Sequence, residues 1–430
     1  MGLWGGEKLV VGYDLGNEFS QISVAASGSG DVTTLSQTAG EENFNIPTVL
    51  CKRIGVNQWF YGKEAIRWGE EGQGILVDGL LELARDGEPV MIEEESYDPV
   101  ALLTLFFKRS LGLISQAASA DRIGALMVTC ERIDHRMLEV LEQMAAGLQL
   151  KTDKIAFHSY RESFYYYMIH QPEELWVYQS LLFVCRRGCM VSYRMECNRH
   201  TAPVVTYMQE AEYPFLGAGA LPEESSAREQ AASRLDADFL RIARECCEGK
   251  AVNSIFLIGD AFDREWLQES LRYLCRNRRV FQGTNLFSKG ACMGMQERLK
   301  PSEAGKNHVF LGKEKLKANV GMKILRQGEE SYYALLDAGV NWYEAEAELE
   351  FYVQEGNEIS LMIAPLIGKN GKIAQIVLED MPGSIARLWA RFFLETEEKL
   401  AVEIQDLGFG EIRPSSGHVW REKVDIYLGS

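Results

Sequence analysis

The chain has 430 residues, of which 46% are hydrophobic and 25% charged, and its formal net charge is −17. That length exceeds one compact core and implies two or three domains. The acidic balance argues against a nucleic-acid binder, and the absence of any apolar run of roughly eighteen residues argues against a membrane-spanning helix.

In chain order, residues 9–13 read as an apolar strand closed by the turn Asp14-Leu15-Gly16. Strands over 21–26 and 31–37 complete a meander around the Gly28-Ser29-Gly30 bend. Residues 46–50 lead into a fourth strand, and 59–62 follow another turn. Apolar positions 102, 103, 106 and 107 predict a helix over 99–112. Strand and helix then alternate: strand 123–129, helix 134–148, strand 154–158 and an aromatic helix over 162–169. A hairpin of strands 181–184 and 190–195 follows, then helix 225–247, strand 254–258 and helices over 263–275 and 288–299. Composition shifts at Pro301-Ser302-Glu303-Ala304-Gly305-Lys306, which marks a linker. Beyond it short strands at 332–336, 345–353, 359–363, 374–379, 387–395 and 400–405 alternate with Gly/Asn/Asp turns, the pattern of a sandwich. The predicted domains are 1–300, a linker over 301–316, and 317–430.

The nine cysteines are scattered and odd in number, and the opening MGLWGGEKLVVGYDLG has no basic leader with a cleavage site. Reduced thiols and a cytoplasmic location are the expectation. Cys185, Cys189, Cys197 and His200 form a candidate zinc set, weighed against a stretch that reads as strand. The dense basic stretch Arg272 to Arg279 is broken by Leu274 and Cys275 and reads as the solvated end of a helix.

Two segments carry candidate chemistry. A strand ending in Asp14-Leu15-Gly16 lets the backbone turn its amides toward an anion, while Asp14 can hold Mg²⁺ or its water; the same pattern also makes an ordinary hairpin turn. Ile255-Phe256-Leu257-Ile258-Gly259-Asp260 is a buried strand ending in glycine at a helix start, which brings backbone close to a ligand or makes a plain strand-to-helix turn.

In order and spacing, these segments resemble the superfamily of actin, sugar kinases and the seventy-kilodalton heat-shock (DnaK-type) chaperones. Val11-Gly12-Tyr13-Asp14-Leu15-Gly16 resembles that family's first phosphate motif, with Asn17-Glu18 after it. Ile46-Pro47-Thr48-Val49 and Gly62-Lys63-Glu64-Ala65 resemble its next strand pair. Ile258-Gly259-Asp260 resembles the adenosine motif, and Asn285-Leu286-Phe287-Ser288-Lys289-Gly290-Ala291 the helix that closes the domain. Glu162 falls where the chaperones carry a Glu near the metal and attacking water. Leu378-Glu379-Asp380-Met381-Pro382 and the strand reaching Asp406 resemble the chaperones' peptide-binding sandwich.

The resemblance implies an α/β actin-like nucleotide-binding domain, a duplicated ribonuclease-H-like fold, followed by an all-β sandwich; the helical lid that the family carries after it is expected to be lacking. It implies ATP or ADP with Mg²⁺ as cofactors, Asp14 and Glu162 as catalytic residues, and Asp14 as the metal residue. Nucleotide contacts are expected from Leu15, Gly16, Asn17, Arg186, Arg187, Gly188, Gly259 and Asp260. The sandwich is expected to hold a peptide or protein partner.

Departures from the family temper the chemistry. Val184-Cys185-Arg186-Arg187-Gly188-Cys189 stands in place of the second phosphate motif, so its Asp and two of its glycines are missing. Glu18 places a carboxylate near the expected phosphates, where a like charge at 4 Å costs on the order of 4 kcal/mol. Hydrolysis is therefore expected to be weak or lost. The alternative is a pseudo-ATPase scaffold that uses the fold for interaction alone.

Overall fold

The computed structural model describes residues 8–38, 42–116, 122–186, 188–215, 221–222, 225–259, 261–262, 266–326, 328–354, 356–366, 371–381, 383 and 385–426. The chain divides into two compact units, Met1–His308 and Val309–Ser430.

The first unit begins with β1 (Leu9–Leu15), β2 (Phe19–Ala26), β3 (Thr33–Thr34), β4 (Ile46–Pro47), β5 (Leu50–Arg53), β6 (Trp59–Tyr61), α1 (Gly62–Glu70), β7 (Gly74–Val77) and α2 (Leu80–Asp86). It continues through β8 (Val90–Ile92), β9 (Glu95–Tyr97), α3 (Pro99–Leu111), β10 (Ile123–Cys130), α4 (His135–Leu148), β11 (Ile155–Ser159) and α5 (Tyr160–Ile169). Then come β12 (Gln179–Arg186), β13 (Cys189–Asn198), β14 (Val204–Pro214), α6 (Ser225–Cys247), β15 (Val252–Ile258), α7 (Glu269–Leu274), β16 (Arg279–Gly283), α8 (Leu286–Leu299) and α9 (Glu303–Asn307), with β17 (His308–Phe310) at the division.

Two stretches of this unit follow one plan. In the first, β1, β2 and β3 form an antiparallel meander, and β10 and β11 add parallel strands to give the order β11-β10-β1-β2-β3. In the second, β12, β13 and β14 form the meander, and β15 and β16 add parallel strands to give β16-β15-β12-β13-β14. The helices match too: α3 and α6 precede the fourth strand, α4 and α7 link fourth to fifth, and α5 and α8 follow the fifth. The elements from β4 to β9, with α1 and α2, are inserted between β3 and α3 of the first repeat.

Local chemistry sets several of these bounds. Asp98 caps α3 by accepting from Val100 N at 3.1 Å, with Pro99 in the first turn, and Asp134 caps α4 by accepting from Met137 N at 2.9 Å. The helix predicted over 263–275 is shorter: α7 starts at Glu269, and residues 263–265 lie outside the described ones. The cause is Asp236 of α6, which accepts from the backbone N–H of Gln268, Glu269 and Ser270 at 3.1, 2.7 and 3.1 Å and so sets where the helix can begin.

Both faces of β1 are covered, which is why all of Leu9–Leu15 is buried. Val10 packs with Ala291, Cys292 and Met295 of α8. Gly12 lies so close to the same helix that a Cβ would stand 2.2 Å from Cys292 N and Ser288 O. Tyr13 faces the other way, stacked on Phe107 of α3 at 3.9 Å with its hydroxyl 2.7 Å from Ser110 Oγ. On the second sheet, Phe256 of β15 meets Phe164 and Tyr167 of α5 at 6.0 and 5.8 Å, while Ile255 and Leu257 enter the core under α6 with Phe239 and Trp266. Helices α5 and α8, equivalent in the two repeats, therefore pack on each other between the sheets. Among the described residues, no helix is long and apolar enough to cross a membrane.

The second unit contains β18 (Ala318–Arg326), β19 (Glu329–Leu336), β20 (Glu346–Val353), β21 (Glu358–Pro365), β22 (Lys372–Val377), β23 (Ala386–Thr396), β24 (Lys399–Asp406) and β25 (Val419–Asp425). They form two four-stranded antiparallel sheets, β19-β18-β21-β22 and β20-β23-β24-β25. Each buries one face: Leu388, Ala390, Phe392 and Leu394 on β23, and Ile359, Leu361 and Ile363 on β21. Two antiparallel sheets that each bury one face make this unit all-β in its described strands.

Candidate functional site

Strand parity brings the site together. Asp14 shares the α8-facing side of β1 with Val10 and Gly12. Arg186 shares a face of β12 with Leu182, which pairs in parallel with Phe256, the residue that meets α5. Each repeat thus carries a charged residue at the end of its first strand, on the side of the α5–α8 pair.

The two hairpin tips open on one cavity of about 1000 Å³, lined by Asp14, Leu15, Gly16, Asn17 and Glu18 from the first and by Cys185, Arg186 and Cys189 from the second. Equivalent turns after the fourth strands, at Glu131 and Gly259, also line it. Gly16 must be glycine because a Cβ there would stand 2.3 Å from Phe19 O. Gly259 has φ +111°, a conformation that L side chains rarely adopt. At the first residue of α5, Tyr160 stacks on Phe287 of α8 with ring centroids 3.9 Å apart, and both line the cavity.

Of the residues singled out from the sequence, Asp14, Leu15, Gly16, Asn17, Arg186 and Gly259 line this one cavity. Gly188 sits in the second hairpin turn but is not a lining residue, and Arg187 and Asp260 lie outside the described residues. Glu162 is buried within α5 and does not line the cavity; two residues earlier, Tyr160 does. Tyr160 was not anticipated, nor were Glu131 and Arg132 after β10; Phe287 lies in the motif quoted for α8 but was not assigned to the site. The repeat in the order of strands and helices was the signal that could have found Glu131, which stands where Gly259 stands in the second half.

The tips differ. Leu15 pairs with Ser20, leaving four residues, 16–19, in the first loop, whereas Arg186 pairs with Cys189 and leaves a two-residue turn. Among the described residues, the charged side chain that the second tip brings to the cavity is Arg186. That guanidinium bonds Glu131 through Nη1 and donates to Tyr193 Oη through Nη2 at 3.0 Å. Its side chain is 22% exposed, against 52% for Arg85 and 55% for Arg132, the other two lining arginines. Arg85 pairs with Asp134, and Arg132 with Glu131, Glu210 and Glu212.

Asp14 is buried and accepts from Tyr160 Oη at 2.6 Å. Burial pushes its carboxyl up to about 7, against the pull of the Tyr160 hydrogen bond and the Arg186 charge. The folded chain therefore holds a proton that the unfolded chain has lost, and stability falls as pH rises from about 4 to about 7. Asp14→Asn cannot ionise. It is expected to stabilise the chain by roughly 1–3 kcal/mol at pH 8, with a smaller gain at pH 5, in urea denaturation at the two pH values. A loss of stability at pH 8 would show that the buried carboxylate is compensated.

The candidate zinc set does not assemble. Cys185 and Cys189 lie at the β12–β13 turn, whereas Cys197 lies toward the other end of β13, bonded to Thr206, and His200 follows that strand in the next turn. Strand rise of about 3.4 Å per residue puts the two ends of β13 too far apart for one ion. Among the described residues, no group of three or more His, Cys, Asp or Glu could hold a metal ion, and all nine cysteines are free.

Fold and site define a class: a two-unit protein whose first unit repeats one α/β plan around a central cavity and whose second consists of two four-stranded antiparallel sheets. The chain belongs to the family of unknown function DUF5716, C-terminal, whose model matches residues 31–313. Residues 315–426 match a second model, a domain of unknown function, DUF8552. No curated protein matches the chain. Arg186 and Gly259 fall within the first matched range, and Asp14 and Gly16 precede it.

Proposed function

We propose that the first unit is an actin-like nucleotide-binding domain of the DnaK type, which takes ATP or ADP in the cavity between its hairpin tips. The second unit is then a sandwich that holds an extended peptide or a protein partner, and the chain works as a nucleotide-responsive chaperone or regulator in the cytoplasm. The observation that carries this reading is the convergence of equivalent turns from two repeats, with Asp14, Gly16, Arg186 and Gly259, on one cavity of about 1000 Å³. A volume of that order suits a cofactor-sized ligand. The stacked Tyr160–Phe287 pair adds an aromatic wall. Weak or absent hydrolysis is supported by the position of Glu162, buried away from the cavity lining. Nine free cysteines fit a reducing compartment, and a net charge of −17 speaks for protein rather than nucleic-acid partners.

A second reading, a pseudo-ATPase scaffold that uses no nucleotide, is favoured by the two-residue second turn and the engagement of Arg186 by Glu131. Thermal denaturation with millimolar ADP or ATP and Mg²⁺ separates the two. Ligand at a hundred times Kd is expected to stabilise by about 2.7 kcal/mol. No shift at any nucleotide concentration would leave the scaffold reading.

A further inference from the structure

We propose that the cavity binds its nucleotide as the metal-free polyphosphate, with the Arg186 guanidinium standing where related sites use a divalent cation. This rests on the nucleotide reading above and concerns how the phosphate charge is neutralised.

A phosphate-bound Mg²⁺ wants several oxygens in octahedral array, usually one or two carboxylates with water and phosphate. Asp14 is the buried carboxylate on this side of the cavity, and one of its oxygens already accepts from Tyr160. Arg186 lines the same cavity as Asp14, and its positive charge works against a divalent ion at that carboxylate. The same charge attracts a phosphate, against the carboxylates of Glu18, Glu82 and Glu131 that also line the cavity. Arg186 carries five N–H donors in a planar fork, and its bonds to Glu131 and Tyr193 leave others for an incoming oxygen. Of the three lining arginines among the described residues it is the least exposed, so salt screens it least. Among the described residues, Arg186 is the cation that this tip brings to the cavity. Glu131 holds the guanidinium until a phosphate competes for it. In this arrangement the ion pair acts as a gate on affinity.

The test is calorimetric titration of the full chain with ADP, once in EDTA and once in Mg²⁺. The expected result is a Kd in EDTA equal to or tighter than that in Mg²⁺, within about threefold. Binding that weakens about tenfold or more in EDTA would overturn the proposal and leave the nucleotide reading standing. Absence of binding in both buffers would overturn both. Arg186→Ala is expected to weaken ADP binding in EDTA by about tenfold or more, the loss of a charge-assisted hydrogen bond. Unchanged affinity in a folded Arg186→Ala chain would overturn the assignment. Should that variant fail to fold, Glu131→Gln decides: freeing the guanidinium is expected to tighten ADP several-fold, and unchanged or weaker binding would overturn the proposal.

Discussion

Phe239→Ala is expected to lower the stability of the first unit by about 3–5 kcal/mol, read as a lower urea midpoint at unchanged slope. Phe239, from α6, is fully buried under the second sheet. Its ring centroid lies 5.3 Å from Phe183, 5.4 Å from Phe262, 5.9 Å from Trp266 and 6.2 Å from Phe215. Truncation removes one ring from a cluster of five and leaves a void that four buried aromatic neighbours cannot close. Met91→Ala, at a side chain 64% exposed, should change stability by less than about 0.5 kcal/mol. Comparable losses from both variants would mean that the cluster is not the core of this half.

Gly290→Val is expected to cost about 3 kcal/mol, or a fall of roughly 6 °C or more in Tm. A Cβ at Gly290 would stand 2.1 Å from Ser163 O, a backbone atom of α5 that can retreat only if the two helices part. Parting them would also pull Tyr160 from Phe287 at the cavity wall. Gly112→Ala makes the control, since nothing lies within 4 Å of its Cβ position and its φ is −57°. That change should be neutral or stabilising by about 0.4–1 kcal/mol, because it narrows the unfolded ensemble. A Gly290 variant that melts with the wild type would show that the helix crossing adapts.

Much of the element order could be read from the residues. The apolar run of β1 and the period of α3 and α4 are strong local signals, and they agree with what the fold packs there. The misses have physical causes. β14 mixes Val204 and Val205 with Glu210 and Glu212, whose carboxylates are held by Arg132 and Arg161 from the first repeat, so its charge pattern hid a strand. β18 breaks its alternation at a bulge between Val320 and Gly321. β25 is mostly exposed and pairs along β24 at one edge of its sheet, where burial imposes little on composition.

Local sequence was enough to place Asp14-Leu15-Gly16 at the end of a strand, to make Gly16 and Gly259 turn residues, and to mark a strand-rich second half. These follow from interactions within a few residues: apolar runs, helix caps and glycine backbones. That Asp14, Tyr160 and Arg186 share one cavity was decided by the tertiary structure. Which face a strand residue points to is set by parity, but which face meets α5 and α8 depends on the parallel pairings of β1 with β10 and β12 with β15 across the chain. The shift of the Asp14 carboxyl has the same origin, because desolvation is a property of what packs around a group and not of its neighbours in sequence.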